Sequence, residues 1–292
     1  MIAGIAIDHR DSLRVMLERR GSTRLGTGEL RSLKLALTRA LAPAATAIML
    51  DEELGGLALD AGAVPPSLAL IMPLEAQGYE DPSATPITRL MADFSPADAL
   101  RRGADACKVL LPYRADDPDA SASQDALVRE TVAACHEVGL PLVVEPVVYR
   151  RSNETESAYA ASYPGLVHAA AARLRALGPD LLKVPFPVLD MAASGEAAGL
   201  DACRHLAAAC DDTPWVLLGA GVETDIFVEQ IRLAGMSGAA GFLAGRGIWG
   251  AAVGSRLEEA EEVAIRICRP ALERCRETAE RYAQPLNVPI TA

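Results

Sequence analysis

Lysine is the residue this chain uses least among its charged side chains. Of 28 basic residues only Lys34, Lys108 and Lys183 are lysines, and arginine supplies the rest. Histidine is almost as rare, at His9, His136, His168 and His205, and only His9 stands at the end of an expected strand. A metal site built from several strand-end histidines is therefore not expected. No Gly-x-Gly-x-x-Gly follows the first apolar run, which removes a dinucleotide site, and no cofactor is expected. No Cys-x-x-Cys occurs. Of the six cysteines, Cys203 and Cys210 are seven apart, as are Cys268 and Cys275, a same-face helical spacing that reads as reduced packing residues. Aromatic side chains make up only 4 %, so the core must be aliphatic. No apolar run is long enough to cross a membrane, and the chain starts directly on a strand, so a cytoplasmic protein without membrane contact is expected. There is no surplus of positive charge either. A net charge of −11 argues against nucleic acid as a partner, although local arginines can still hold a small anion.

What the chain does contain is a repeated pattern. Short apolar runs at 2–8, 47–51, 68–72, 106–111, 141–148, 181–185, 215–218 and 240–243 read as eight strands. Helices are expected between them at 12–20, 29–41, 96–103, 125–138, 163–177, 198–210 and 224–234, with a last helical region at 257–283. Segments 21–28, 116–124 and 149–156 read as loops, as does the proline-containing stretch after the third strand, and 284–292 as an extended tail. Strands alternating with helices, with no compositional break, predict one (β/α)8 TIM barrel over 1–292, a length in keeping with the ~250 residues typical of that fold. A doubly wound sheet is the second choice.

The strand around Lys183 carries the most chemistry. Side chains alternate along a strand, so Lys183 points away from Leu182 and Val184. If those two face covering helices, Lys183 faces the interior. A lysine can give up its proton and act as a nucleophile, which arginine effectively cannot. Asp8, Asp51, Lys108 and Glu145 also sit at strand C-termini, where active sites of this fold are built. Polar groups in otherwise apolar strands are costly to bury unpaired, so five of them suggest one convergent site. A neighbouring Lys108 would make Lys183 a better nucleophile. Glu145 can take and return protons, and Asp8 can hold a substrate hydroxyl or orient a lysine. This is equipment for imine chemistry at a ketone. The loops after the seventh and eighth strands commonly bind phosphate in this fold, and here both are glycine-rich: Gly219-Ala220-Gly221 and Gly245-Arg246-Gly247.

Six motifs, Ile7-Asp8-His9-Arg10, Asp105-Ala-Cys-Lys108, Glu145-Pro-Val-Val148, Leu182-Lys183-Val184, Pro214-Trp-Val-Leu-Leu218 and Gly241-Phe-Leu-Ala-Gly-Arg-Gly-Ile-Trp249, resemble the class I ketose-phosphate aldolases of the tagatose-1,6-bisphosphate and sulfofructose-1-phosphate type. The resemblance spans nearly the whole chain. It implies a lyase of carbohydrate metabolism that cleaves a phosphorylated ketose to dihydroxyacetone phosphate and an aldehyde through a Schiff base on Lys183. It further implies proton transfer and substrate holding by Glu145, Lys108 and Asp8, and phosphate holding by Gly219, Ala220, Gly221, Gly245 and Arg246. His9 and Asp51 are expected at the substrate, and Arg10, Arg150 or Arg151 at a distal anion. Two positions depart from the family pattern: His9, where glutamine is usual, and the turn 219–221, where a serine is usual. The expected partner is a small sugar phosphate, and a homo-oligomer is expected. Two other readings stand beside this one: a metal-dependent sugar-phosphate aldolase or isomerase, and a non-catalytic sugar-phosphate-binding protein.

Overall fold

All eight expected strands form, and each stays short because a proline, a glycine or a charged residue follows closely. In the computed structural model, residues 1–19, 25–76, 86–254, 256–288 and 290 are described. The strands are β1 (Ile2–Ala6), β2 (Ala47–Met49), β3 (Ala69–Pro73), β4 (Ala106–Tyr113), β5 (Leu142–Val148), β6 (Leu181–Pro185), β7 (Trp215–Leu218) and β8 (Gly241–Ala244). Neighbours pair in parallel in chain order, and β1 closes on β8 through Ile2↔Gly241 to Ile5↔Ala244. The result is the closed (β/α)8 TIM barrel that the alternation of strands and helices predicts.

Around the barrel run α1 (Asp11–Arg19), α2 (Thr27–Leu41), α3 (Glu52–Asp60), α4 (Pro96–Arg101) and α5 (Pro118–Glu137). They are followed by α6 (Glu156–Arg175), α7 (Met191–Cys210), α8 (Thr224–Met236), α9 (Arg246–Val253), α10 (Ala260–Val263) and α11 (Arg269–Tyr282). α2 turns Leu30, Leu33, Leu37 and Leu41 inward, the stripe its spacing requires.

Several helices exceed their expected limits because capping residues lie within the expected loops. Asp117 accepts from the Ala120 N–H and Pro118 opens α5, so 118–124 is helix. Thr155 caps α6 in the same way. The helix expected from 198 begins at Met191, with a break at Gly195 (φ 78°) that separates off its first turn. α3 and α9 were not expected at all. Parts of the expected elements, namely 20–24, 77–85, 289 and 291–292, lie outside the described residues.

Two apolar layers result from strand alternation. Outward residues such as Ile48, Cys107, Val109, Val144, Leu182 and Val184 pack against the helices. Inward residues such as Ile2, Ala47, Ala69, Ala106, Val143, Leu181 and Val216 fill the barrel. Ile290, nearly fully buried, packs into that inner layer with Leu286 and Val288 beside it, so the C-terminal segment covers the barrel interior. All six cysteines are free and buried. Among the described residues no helix is long and apolar enough to cross a membrane.

Candidate active site

Parity along the strands decides which polar side chains meet. Lys108 lies between the outward-packed Cys107 and Val109, and Lys183 between the outward-packed Leu182 and Val184. Both lysines therefore point inside, and so does Glu145, two residues beyond the inward Val143. Asp8 follows the inward Ala6 by two. Above the aliphatic layers these four groups replace carbon with charge.

They form one connected cluster. Lys183 Nζ is 2.9 Å from Glu145 Oε1. The other oxygen, Glu145 Oε2, is 3.2 Å from Lys108 Nζ and makes no hydrogen bond among the described residues. Lys108 Nζ also donates to Asp8 Oδ2 at 2.9 Å and to Glu75 Oε1 at 2.6 Å. Glu145 thus bridges the two lysines, and Lys108 is ringed by three carboxylates. All five side chains are under 10 % exposed. Ions this deep lose several kcal/mol of hydration each, which only close pairing offsets.

The charges settle as that pairing dictates. Burial alone would discharge Lys108, but the carboxylates of Asp8, Glu145 and Glu75 outweigh it and hold the ammonium well above its ordinary range. Burial would likewise raise the Asp8 carboxyl, yet Lys108, His9 and Lys183 hold it well below the usual carboxylate range. Glu75 goes the other way: burial outweighs Lys108, and its carboxyl is raised. Burial also pushes the His9 imidazole down to about 3, against the pull of Asp8 3.6 Å away. His9 is therefore neutral at physiological pH. Its ring meets the edge of Trp249 at a centroid distance of 5.1 Å, while Trp249 Nε1 donates to the Ala6 carbonyl at 2.8 Å, which ties α9 to the end of β1.

A cavity of about 360 Å³ opens above the cluster and is lined by Asp8, His9, Lys108, Glu145 and Lys183. The ends of β7 and β8 supply Ala220, Gly221, Gly245 and Arg246 to the same cavity. Gly245, in the cavity lining, precedes α9, whose N-terminus has no side-chain cap and so leaves backbone N–H groups without a side-chain acceptor. Ala220 (φ 33°) and Gly221 (φ 78°) bend the turn after β7 into left-handed backbone.

Not every expected residue arrives. Asp51 is fully buried and does not line the cavity. One oxygen pairs with Lys34 and the other accepts from the Leu54 N–H, so it caps α3. The structure thus places Asp51, expected at the substrate, in a buried ion pair outside the cavity lining. Gly219 is also absent from the lining; a Cβ there would meet the Ala244 Cα at 2.9 Å, so its role is the close approach of β7 to β8. Arg10 is buried, donates to the Glu75 carbonyl at 2.6 Å and reaches Met91 Sδ. Arg151 pairs with Asp116 and Asp117, and Arg150 donates to the Glu154 carbonyl. None of these three arginines lines the cavity.

Glu75 is the residue sequence reading missed. Its signal is the inward parity of β3 carried past Pro73, since Ile71 faces the barrel interior and Glu75 lies four residues on. Ser12, at the cavity edge on α1, was missed too, as was the apolar wall of Leu110, Pro112 and Val147. The remaining histidines stand away from the mouth: His136 pairs with Asp180, His168 Nε2 donates to the Ala202 carbonyl at 3.0 Å, and His205 lies beside Asp201. Among the described residues, no group of three or more His, Cys, Asp or Glu is placed to hold a metal ion.

Residues 2–251 match the family described as DeoC/LacD family aldolase. The tagatose 1,6-diphosphate aldolase 2 of Streptococcus mutans serotype c is 29 % identical over 280 residues, covering 90 % of this chain and 84 % of that one. A tagatose 1,6-diphosphate aldolase of Listeria monocytogenes serotype 4b is 30 % identical over 265 residues, 85 % of this chain and 77 % of the relative. Among solved structures, a fructose-bisphosphate aldolase from Slackia heliotrinireducens superposes with a TM-score of 0.62 at 19 % identity, covering 95 % of this chain and 85 % of its own. A Schiff-base-forming fructose-1,6-bisphosphate aldolase superposes with a TM-score of 0.59 at 17 % identity, covering 96 % and 94 %. At those identities the two structures share the fold.

Proposed function

The chain belongs to the DeoC/LacD family of aldolases and is thus a lyase, and on that premise we propose that it cleaves a phosphorylated ketose through a Schiff base on Lys183. The observation that carries this reading is the Glu145 bridge, with one oxygen 2.9 Å from Lys183 Nζ and the other facing Lys108. A lysine that must lose a proton, attack a carbonyl and expel water needs a proton acceptor and donor within hydrogen-bond reach, and Glu145 meets that geometry.

The steps follow from those positions. Glu145 takes a proton from Lys183, and the freed amine attacks the ketone carbon. The same carboxyl returns the proton to the departing hydroxyl, water leaves, and an iminium remains. A base removes the proton from the hydroxyl on the far side of the scissile carbon–carbon bond. That bond breaks to give a carbonyl, and its electron pair moves into the iminium to form an enamine. The aldehyde departs. Protonation of the enamine carbon and addition of water then release dihydroxyacetone phosphate and regenerate the lysine. Lys108, held charged by three carboxylates, stays cationic throughout and acts as a fixed positive charge beside the reacting oxygens. Asp8, fixed as an anion, orients Lys108 and accepts from a substrate hydroxyl. The phosphate rests against the turns at Ala220–Gly221 and Gly245–Arg246, where the uncapped start of α9 offers N–H groups.

Borohydride reduction in the presence of dihydroxyacetone phosphate tests the reading. The expected result is one reduced adduct per chain by intact mass, mapped to Lys183 by peptide analysis. Absence of an adduct, together with turnover that a chelator abolishes, would return the site to metal-assisted chemistry.

A further inference from the structure

Above the lysine–carboxylate floor, the cavity carries Arg246 on one side and apolar residues on the side across from it. In the closed order β1 to β8, strand β4 stands four places from β8 and so lies across the barrel from it. Arg246, at the end of β8, lines one wall. Leu110 and Pro112 from β4 and Val147 from β5 line the other. Among the described residues Arg246 is the one guanidinium in the lining. The two lysines on the floor are already matched by Asp8, Glu75 and Glu145.

Cations do occur just past the apolar wall, but protein acceptors occupy them. Arg114, 1 % exposed, makes paired contacts to Asp116 at 2.9 Å and to Glu154 at 2.7 and 2.8 Å. Arg151 pairs with Asp116 and Asp117, and Arg150 donates to the Glu154 carbonyl. Two of these arginines thus meet three carboxylates and the third meets a backbone carbonyl, so among the described residues this rim balances three cations with three anions. A charged group brought against Leu110, Pro112 and Val147 would lose its water and gain no partner. An uncharged carbon chain would lose nothing of the kind.

We propose that the ketose this cavity takes carries an anion at one end only, and that the aldehyde it releases is uncharged. The proposal rests on the Schiff-base reading and extends it: the phosphate stays with the half that Lys183 holds, at the Arg246 side, and the half that leaves faces the apolar wall. The bond broken and the electron pair transferred are those already described, and no further reactant is needed. The substrate class is then a ketose 1-phosphate whose far end is hydroxylated or deoxygenated. A bisphosphate or a sulfonated ketose phosphate falls outside it.

The test runs the reaction in the condensation direction. Dihydroxyacetone phosphate is held constant and the acceptor is varied among lactaldehyde, glyceraldehyde, glyceraldehyde 3-phosphate and sulfolactaldehyde. Initial rates of dihydroxyacetone phosphate consumption give kcat/KM for each acceptor. Either neutral aldehyde is expected to exceed both charged ones by about tenfold or more, the scale on which a site rejects a group it leaves unpaired. Equal or higher kcat/KM for either charged acceptor overturns the proposal. The borohydride experiment with dihydroxyacetone phosphate alone is run in parallel. An adduct with a charged-acceptor preference overturns this proposal and leaves the Schiff base standing; absence of any adduct overturns both. A second handle comes from the wall itself. Val147→Lys places a cation there, and it is expected to raise kcat/KM for glyceraldehyde 3-phosphate relative to lactaldehyde, while an unchanged ratio would remove the apolar wall from the explanation.

Discussion

Two buried lysine–carboxylate arrangements lie within a few residues of each other in space, and only one is built like a catalytic centre. Lys34 on α2 pairs with Asp51, both fully buried, and the second Asp51 oxygen caps α3. Both Asp51 oxygens have a donor, and neither residue lines the cavity at the barrel mouth. Lys108 and Lys183 share Asp8, Glu75 and Glu145, keep an unbonded Glu145 oxygen, and face a cavity. Burial therefore does not separate the two arrangements. Nor does the direction of a pKa shift: burial outweighs Asp51 and lowers Lys34, while three carboxylates raise Lys108. A lowered lysine is often taken as the mark of a nucleophile. Here it belongs to the closed pair. What distinguishes the site is acceptor stoichiometry, strand parity and access.

The largest expected effect tests that contrast directly. Lys183→Met should remove turnover by on the order of 10³-fold or more, since no other amine stands at that position, with a smaller loss of thermal midpoint than at Lys34, because Glu145 keeps Lys108 3.2 Å away. Lys34→Met should do the reverse. It strands a buried Asp51, at a cost of about 3–5 kcal/mol, while activity stays within roughly tenfold. Thermal melts and steady-state rates on both variants check the pair of outcomes. A Lys34 variant that is stable and inactive would place Lys34 in the chemistry and dissolve the distinction.

Glu145→Gln comes next. It keeps the shape but removes the proton acceptor and leaves an amide N–H2 facing one of the two lysines, and a loss of about 10²–10⁴-fold in kcat is expected, the usual range for a general acid–base group. The informative readout is borohydride trapping under slow turnover. If Glu145 moves protons, the adduct on Lys183 should still form, but with a rate that rises with pH as hydroxide replaces the missing base. A rate independent of pH would make the bridge a structural strut like Asp51.

How much of this was legible in the chain depends on whether a local rule could decide it. The barrel was legible because eight apolar runs recur with helices between them. Lys183 is expected at the interior because period-two alternation needs only the nearest neighbours, and Leu182 and Val184 do pack outward, while Lys108 and Glu145 are expected at the mouth from their strand-end positions alone. Asp51 has the same strand-end position, yet the chain turns into α3 at that residue. The acidic first turn Glu52–Glu53 was a capping signal that outranked the strand. Glu75 escapes the sequence pattern because the apolar run of the third strand ends at Met72, whereas Pro73 continues the strand in register with Lys108. The wall of Leu110, Pro112 and Val147 could not be read from composition, since apolar residues at a mouth look the same in sequence as apolar residues in a core. The engagement of Arg114 and Arg151 with Asp116, Asp117 and Glu154 depends on two loops meeting, and no spacing in one dimension encodes it.

The smallest effect concerns His9, whose imidazole feels both Lys34 and Lys183. Its imidazole is pushed from the ordinary 6.5 down to about 3, chiefly by burial. In the unfolded chain the same ring takes a proton below about 6.5. The native state cannot follow until about pH 3, so between those values the unfolded state binds more protons and folding stability falls as pH falls. Above pH 6.5 the group contributes no pH dependence. The ring keeps 20 % of its surface exposed, which lets water soften the shift, so the loss between pH 7 and pH 5 should be of order 1 kcal/mol. His9→Gln removes the titration but keeps a hydrogen-bonding end beside Asp8. Urea unfolding at pH 7 and pH 5 should show the variant losing less stability across that interval than the parent. An identical loss in both would mean that the ring already takes its proton in the folded state, in which case Asp8, 3.6 Å away, outweighs burial and the mouth carries one more positive charge than the neutral ring allows.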